Sequence, residues 1–488
     1  MKGIKSLIIV TLITIIGVFY LSSIREGHSW GGDFSAYIHH AKNIVEGVDY
    51  KDTSYIYNPS CSSVGPETYS PVFPLLLSPV YKSYGLDLTS MKMEIILIFL
   101  LFLLILFFIF RNELSFQYLV AMIALVGFNP YLWSFKDNVV SDIPFLLFLY
   151  LGLLFIHKVR RSYESKSLLF LDGILIGLFS YLSYGTRGIG IILIFLLLYD
   201  VVRFKKPIKV AIIAVSVFLF FAIPQTVFLH SNADYFKEFI SIVNGRIIIY
   251  NLFSYIHRLS LLWDNSYIII FRYALFAITS ILAIIGYTLR IKQKVTIFEI
   301  FSILYVVPVI MWPGHGGIRY LFPVVPFYLF YAFLGIRKLS FHGRKIERPV
   351  FIILIAVIFL SYISKYTKID YGPIKSGVAK KESVQLFNYI KDNTEKEAVF
   401  IFQKPRVLAL YTGRKASAYH CPRDYKELWD YLSGINANYI ILARPLYKGV
   451  DKDGSYIRLF LEKYKESFQE VYSNPDFKVY QIKSAHKS

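Results

Sequence analysis

The first residues able to do chemistry follow an apolar N-terminal block almost directly: Gly31-Gly32-Asp33-Phe34-Ser35-Ala36-Tyr37-Ile38-His39-His40. A helix starting near Asp33 places Asp33, Tyr37 and His40 on one face, because side chains three and four apart are helix neighbours. The spacing leaves two readings open. Asp33 is either a working carboxylate with partners below it, or a helix-start acid serving as a cap. Farther on, Glu67-Thr68-Tyr69-Ser70-Pro71-Val72-Phe73-Pro74 leads into a short apolar segment. Lys136-Asp137-Asn138-Val139-Val140-Ser141-Asp142-Ile143-Pro144 puts two carboxylates at the mouth of a longer one. Arg187, His315 and Arg319 lie at the ends of later apolar blocks. Ionisable groups at membrane depth are costly, so functional or pairing roles are expected of them. The bland alternative for each arginine is an interfacial anchor whose charged head snorkels to water.

These residues must be positioned by membrane helices. The chain is 55% hydrophobic, above the roughly 45–50% of soluble domains. The apolar residues fall in blocks of about 15–22, the length that crosses a hydrocarbon core. Ile95–Phe110, Val210–Ala222 and Val350–Leu360 contain no charge. Backbone groups in lipid must pair internally, so such blocks are helices. Spans are expected at 5–22, 93–110, 114–132, 143–157, 168–184, 188–202, 208–228, 267–289, 296–312, 319–336 and 349–364, about eleven in all.

The net charge of +20 is concentrated in short connections: Lys158 to Arg161, Arg203 to Lys206, Arg290 to Lys294 and Arg337 to Arg348. That placement encodes orientation, with Lys and Arg on the cytoplasmic side, and argues against nucleic acid as a partner. Lys2 and Lys5 put the N-terminus inside, and no small-residue cleavage site follows the first block. Counting Pro71–Tyr84 as a span would move every basic cluster outside, so it is expected to be re-entrant or surface-lying. The outer face then holds the first loop, 23–92, two shorter loops at 133–142 and 229–266, and everything after 365.

The fold class expected is therefore a polytopic α-helical membrane protein with a small C-terminal extracytoplasmic α/β domain. Residues 1–365 form the membrane domain and 366–488 the outer one. Val399–Gln403, Tyr439–Leu442 and Lys478–Ile482 read as strands; Glu382–Lys391, Tyr425–Leu432 and Tyr456–Ser467 read as helices. Cys61 and Cys421 are the only cysteines. Their compartment permits a disulfide, but separate thiols are expected. No P-loop, GxGxxG or zinc spacing is present, so no cofactor is expected.

Four stretches together carry a resemblance. They are Asp33-x3-Tyr37-x3-Ala41-x2-Ile44-x2-Gly47; Tyr69-Ser70-Pro71-Val72-Phe73-Pro74-Leu75-Leu76; Asn129-Pro130 with the later Asp142-x-Pro144; and Tyr184-Gly185-Thr186-Arg187-Gly188-Ile189-Gly190 with Arg319-Tyr320-x2-Pro323-x2-Pro326. In that order, on one side of the membrane, they resemble the GT-C glycosyltransferases that use polyprenyl-phosphate sugars, grouped with protein O-mannosyltransferases and aminoarabinose transferases. The resemblance covers most of residues 1–340, and Lys404 to Arg414 resembles the outer domains attached to such enzymes. It implies inverting transfer of a sugar from a polyprenyl-phosphate carrier to an acceptor hydroxyl on the outer face of the cytoplasmic membrane. It further implies Asp33 as general base and Asp142 as a second site carboxylate. Arg187, Arg319 and His315 are implied near the donor phosphate, and Tyr37, His40, Glu67, Tyr69 and Asp137 near the substrates. Some relatives pair two acids in the first loop, whereas here Gly32 precedes Asp33. Some branches use a divalent ion; Asp33, His40 and Asp142 are the residues available for one, without tight ligand spacing. The alternative from a different class is a transporter or flippase of a lipid-linked saccharide. Internal repeats would favour it, and none is visible.

Overall fold

The computed structural model describes residues 2–159, 166–204, 207–229, 245–264, 268–312, 317–341, 344–419, 421–422, 424–444, 446 and 452–483. Among them six helices are long and apolar enough to cross a membrane: Gly3–Ser22, Leu88–Phe110, Asp142–Val159, Ile208–Phe228, Ile269–Gln293 and Glu347–Tyr366. The chain is a multi-pass membrane protein. A seventh crossing arises if Phe116–Gly127 and Pro130–Asp137, bent by 41°, are taken as one. Shorter apolar helices stand at Leu169–Tyr184, Ile297–Met311 and Val325–Ile336.

Local chemistry explains why several expected spans are shorter or broken. At 114–132 the side chain of Asn129 accepts from the backbone N–H groups of Tyr131 and Leu132, with Pro130 at the first helical position. A new helix therefore starts there rather than the old one continuing. At 319–336 the regular helix begins only at Val325, after a 3-10 turn over Ile318–Leu321; Pro323 and Pro326 disfavour an earlier start. At 188–202 a 3-10 turn over Gly188–Ile191 precedes the helix Ile192–Phe204. The segment 71–84 is a 13-residue helix, Val72–Tyr84, with Val72, Phe73, Pro74 and Leu77 buried.

In the elements that matter to the site, α1 is Lys2–Ser22 and α2 is Gly32–Glu46. Helix α2 ends at Gly47, whose left-handed conformation lets its N–H reach the Asn43 carbonyl, a C-cap that glycine adopts without strain. Strand β1, Tyr55–Ile56, follows. After the helical region come the hairpin strands β2 (Ser340–Phe341) and β3 (Arg344–Lys345), then β4 (Val399–Ile401), β5 (Lys415–Ser417), β6 (Tyr439–Ala443), β7 (Phe468–Ser473) and β8 (Phe477–Ile482).

Six of these strands make one sheet, ordered β1-β5-β4-β6-β8-β7. Strands β1, β5, β4 and β6 run parallel, and β8 and β7 add antiparallel. The expected strands and helices after 365 are present, but the sheet does not belong to that region alone. Its β1 edge comes from the segment between α2 and the helix Val72–Tyr84, with Tyr55 opposite Ala416 and Ile56 opposite Ser417. The two regions are also stitched near residue 26: Ile374 N–H donates to Glu26 O and Val378 N–H to His28 O, each at 3.0 Å. Trp30 of the first loop packs edge-on against Phe387, Phe402 and Phe477. The cysteines are separate thiols, and Cys61 Sγ donates to the Tyr419 carbonyl at 2.8 Å.

Candidate active site

The N-cap of α2 is Gly31, with no side-chain cap bond, so Asp33 is in the first turn and its carboxylate is used elsewhere. Its Oδ1 accepts from the Tyr69 hydroxyl at 2.8 Å and from Arg406 Nη2 at 3.3 Å. Its Oδ2 faces Arg319 Nη1 at 3.5 Å. Arg319 Nη1 is also 3.8 Å from Asp142 Oδ2, while Arg187 Nη1 binds Asp142 Oδ1. The guanidiniums of Arg187 and Arg319 lie 5.1 and 5.5 Å from the centroid of one ring, Tyr320, within cation–π range. Asp33, Asp142, Arg187 and Arg319, distant in sequence, form one continuous ionic network.

The helix face anticipated for α2 is realised. The Tyr37 hydroxyl pairs with Ser141 Oγ at 2.9 Å, and its ring packs against Tyr69 and Phe73. The His40 ring stacks on Tyr50. Its Nδ1 meets the Tyr50 carbonyl at 2.8 Å and its Nε2 accepts from Tyr69 N–H at 3.2 Å. That pattern requires one donor and one acceptor nitrogen, hence a neutral ring; burial, helped by the Arg406 charge and opposed by the Tyr50 bond, lowers its pKa to about 4. His40 therefore holds the Tyr69 backbone, and Tyr69 holds Asp33. Glu67 is half-buried two residues earlier. His315 lies outside the described residues.

Arg187 is placed by its own turn. Val72 N–H donates to the Gly185 carbonyl at 3.0 Å, tying the start of the Pro-rich helix to the turn that carries Arg187. Gly190 lies so close to Ser183 that a Cβ would sit 2.4 Å from the Ser183 carbonyl carbon, so a larger residue would push this turn open.

A cavity of about 170 Å³ opens beside the network, lined by Asp33, Arg319, His28, Phe34, Phe135 and Asn138 among others. His28, unmarked in the sequence, accepts from Val139 N–H through Nε2 at 3.2 Å and stacks on Phe34. Burial lowers its pKa to about 4.

Asp137 is brought to a different place. Its Oδ2 accepts from Lys136 Nζ at 2.5 Å, and its Oδ1 accepts from Arg25 N–H at 2.9 Å and faces Lys92 Nζ at 3.8 Å. Lys92 also donates to the carbonyls of Arg25 and Gly27. Asp137 thus clamps the chain as it leaves α1, and it does not line the cavity. The residue that sequence reading missed is Arg406. It stood in a stretch noted only as resembling an outer domain, and nothing local marks it.

Several solved structures share this architecture. Over 98% of both chains, with 11% identity and a TM-score of 0.59, it is similar to ArnT from Cupriavidus metallidurans bound to undecaprenyl phosphate. It is also similar to the oligosaccharyltransferase AglB from Archaeoglobus fulgidus in complex with an inhibitory peptide and a dolichol-phosphate. There the identity is 11% and the TM-score 0.59, over 89% of this chain and 69% of that one. The Archaeoglobus fulgidus oligosaccharyltransferase in complex with Zn and sulfate matches at 12% identity and a TM-score of 0.57, over 88% and 67%. No family model and no curated protein sequence matches the chain. The fold is the GT-C fold that the four motifs resemble.

Proposed function

We propose that this protein is an inverting glycosyltransferase that moves one sugar from a polyprenyl phosphate to an acceptor hydroxyl outside the cytoplasmic membrane. The observation that carries the reading is the bridging of Asp33 and Asp142 by Arg319, with Arg187 on Asp142, beside a cavity. In this reading Asp33 Oδ2, the oxygen not held by Tyr69, takes the proton as the acceptor oxygen attacks the anomeric carbon. The bond from that carbon to the phosphate oxygen breaks on the opposite face, and polyprenyl phosphate leaves with the electron pair. Arg187 and Arg319 stabilise the charge that develops there. The undecaprenyl phosphate and dolichol-phosphate in the similar structures support a lipid-phosphate donor.

The orientation and the eleven-span count belong to the same proposal. The N-terminus is cytoplasmic, and the sheet stands outside over the site. A helix or bent helix pair occurs at each expected position, which supports the parity that brings Asp33, Asp142, Arg187 and Arg319 to one face.

A divalent ion does not fit this arrangement. Among the described residues no three His, Cys, Asp or Glu side chains could hold one, and Arg319 already occupies the space between the carboxylates. No step is assigned to a metal. The test is release of polyprenyl phosphate from polyprenyl-phosphate sugars by purified protein. Asp33→Asn should abolish release while the protein still folds and inserts in the membrane; normal turnover by that variant would sink the mechanism.

A further inference from the structure

The transfer step assigned above leaves one buried guanidinium at the site without a task. Arg406 belongs to the helix Pro405–Thr412, between β4 and β5, and is 5% exposed. It reaches Asp33 across 373 residues of sequence. Its Nη1 donates to the Tyr69 hydroxyl at 2.8 Å, and its Nη2 donates to Asp33 Oδ1 and to the Val64 carbonyl. The Tyr69 hydroxyl donates in turn to the same Asp33 Oδ1, so the three side chains close a ring.

Two glycines make the passage. A Cβ on Gly32 would stand 2.8 Å from Arg406 Nη2. A Cβ on Gly65, whose φ of +107° already disfavours a side chain, would stand 2.8 and 2.9 Å from Nη2 and Nη1. Both glycines lie in the first outer loop, and Gly32 directly precedes Asp33. The helix carrying Arg406 is fixed at its far end by Gly413 in a left-handed cap, and β5 beyond it pairs with β1 of that same loop. The guanidinium is therefore aimed by the fold rather than resting on it.

We propose that Arg406 is a positioning residue for Asp33, through which the C-terminal sheet region completes the active centre. It rests on the reading of Asp33 as the base. Arg406 and Tyr69 both occupy Oδ1, which fixes the carboxylate rotation and leaves Oδ2 as the oxygen facing Arg319. Arg406 also sets basicity. Burial alone would raise the Asp33 pKa, but Arg406 first, then Arg319, Tyr69 and Arg187, bring it below the ordinary carboxylate value. The groups facing Asp33 from the packed elements are these four, with Tyr37 and Asp142, neutral His28 at the cavity wall, and neutral His40 behind Tyr69.

The test is the pH dependence of polyprenyl phosphate release by full-length protein in proteoliposomes. Wild type should hold its rate into the acid range, with its limb below that of an ordinary carboxylate. In Arg406→Gln the acid limb should move up by about 1–3 pH units, the effect of removing a neighbouring opposite charge. Its plateau kcat should fall with donor KM unchanged, and Arg406→Lys should restore much of the limb. A folded Arg406→Gln whose acid limb stays where the wild type has it would overturn the proposal. Should that variant not fold, Gly32→Ala keeps the charge but displaces the guanidinium; an upward limb supports the proposal and an unmoved one overturns it. Asp33→Asn run alongside separates the failures. If it turns over, the base assignment fails; if it is dead and the limb does not move, only Arg406 is wrongly assigned.

Discussion

Asp137 and Asp142 are five residues apart, and both are buried beside cations, yet they serve different ends. Asp137 is enclosed by Lys136, Lys92 and the Arg25 N–H, so it ties the chain leaving α1 and the helix Leu88–Phe110 to its own turn. Asp142 is equally buried, but its Arg187 and Arg319 partners remain partly exposed, and Arg319 lines the cavity and faces Asp33. A closed ion cluster stabilises one arrangement. One whose cations keep an open side can lend charge to a ligand. Burial of the carboxylate does not distinguish the two; the exposure of its cation does.

Mutations can break this comparison. The largest effect is expected at the open cluster: Asp33→Asn removes the proposed general base, worth about 10²- to 10⁴-fold in turnover, in a protein that still folds. Arg319→Gln should follow at about 10²- to 10³-fold in kcat, the usual cost of removing one donor to a developing charge; single-turnover assays with donor in excess read that step directly. At the closed cluster the sign reverses. Asp137→Asn leaves two buried lysines facing a neutral amide, and about 3–5 kcal/mol of stability should be lost, as on breaking a buried pair. Thermal unfolding in detergent should show the loss, while turnover per folded molecule stays at the wild-type level. A normally stable but inactive Asp137→Asn would move Asp137 into the site and erase the contrast.

What the sequence disclosed follows the range of the forces involved. Hydropathy located the helices because lipid imposes its length on each one. It misjudged where they begin at Asn129 and Pro323, since caps and prolines act on single turns. The i, i+4, i+7 spacing placed Asp33, Tyr37 and His40 correctly on one face, but left open what each does. His40 proved to be a backbone clamp because a carbonyl and an N–H happen to flank it. Neither Arg406 nor the addition of β1 to the distant sheet was legible, because each is a long-range pairing with no local periodicity. Gly32 was the available signal. A glycine beside the candidate base marks a position where something must come close, although the sequence does not say what.

The smallest expected effect is none at all, on chelation. The similar archaeal oligosaccharyltransferase in complex with Zn and sulfate makes a metal the natural competitor for Arg319. Among the described residues, Arg187, Arg319 and Arg406 surround Asp33 and Asp142, so the cluster carries one net positive charge. A divalent cation entering it would have to displace a guanidinium already paired to both carboxylates and then sit beside the other two. A phosphate meets the opposite situation, since the excess charge attracts it without disturbing either aspartate. Turnover after exhaustive EDTA treatment should therefore equal that of untreated enzyme, and added Mn²⁺ or Zn²⁺ should not raise it. Activity lost to chelator and restored by one ion would mean that Arg319 swings away during catalysis and that the open cluster is a metal site in waiting.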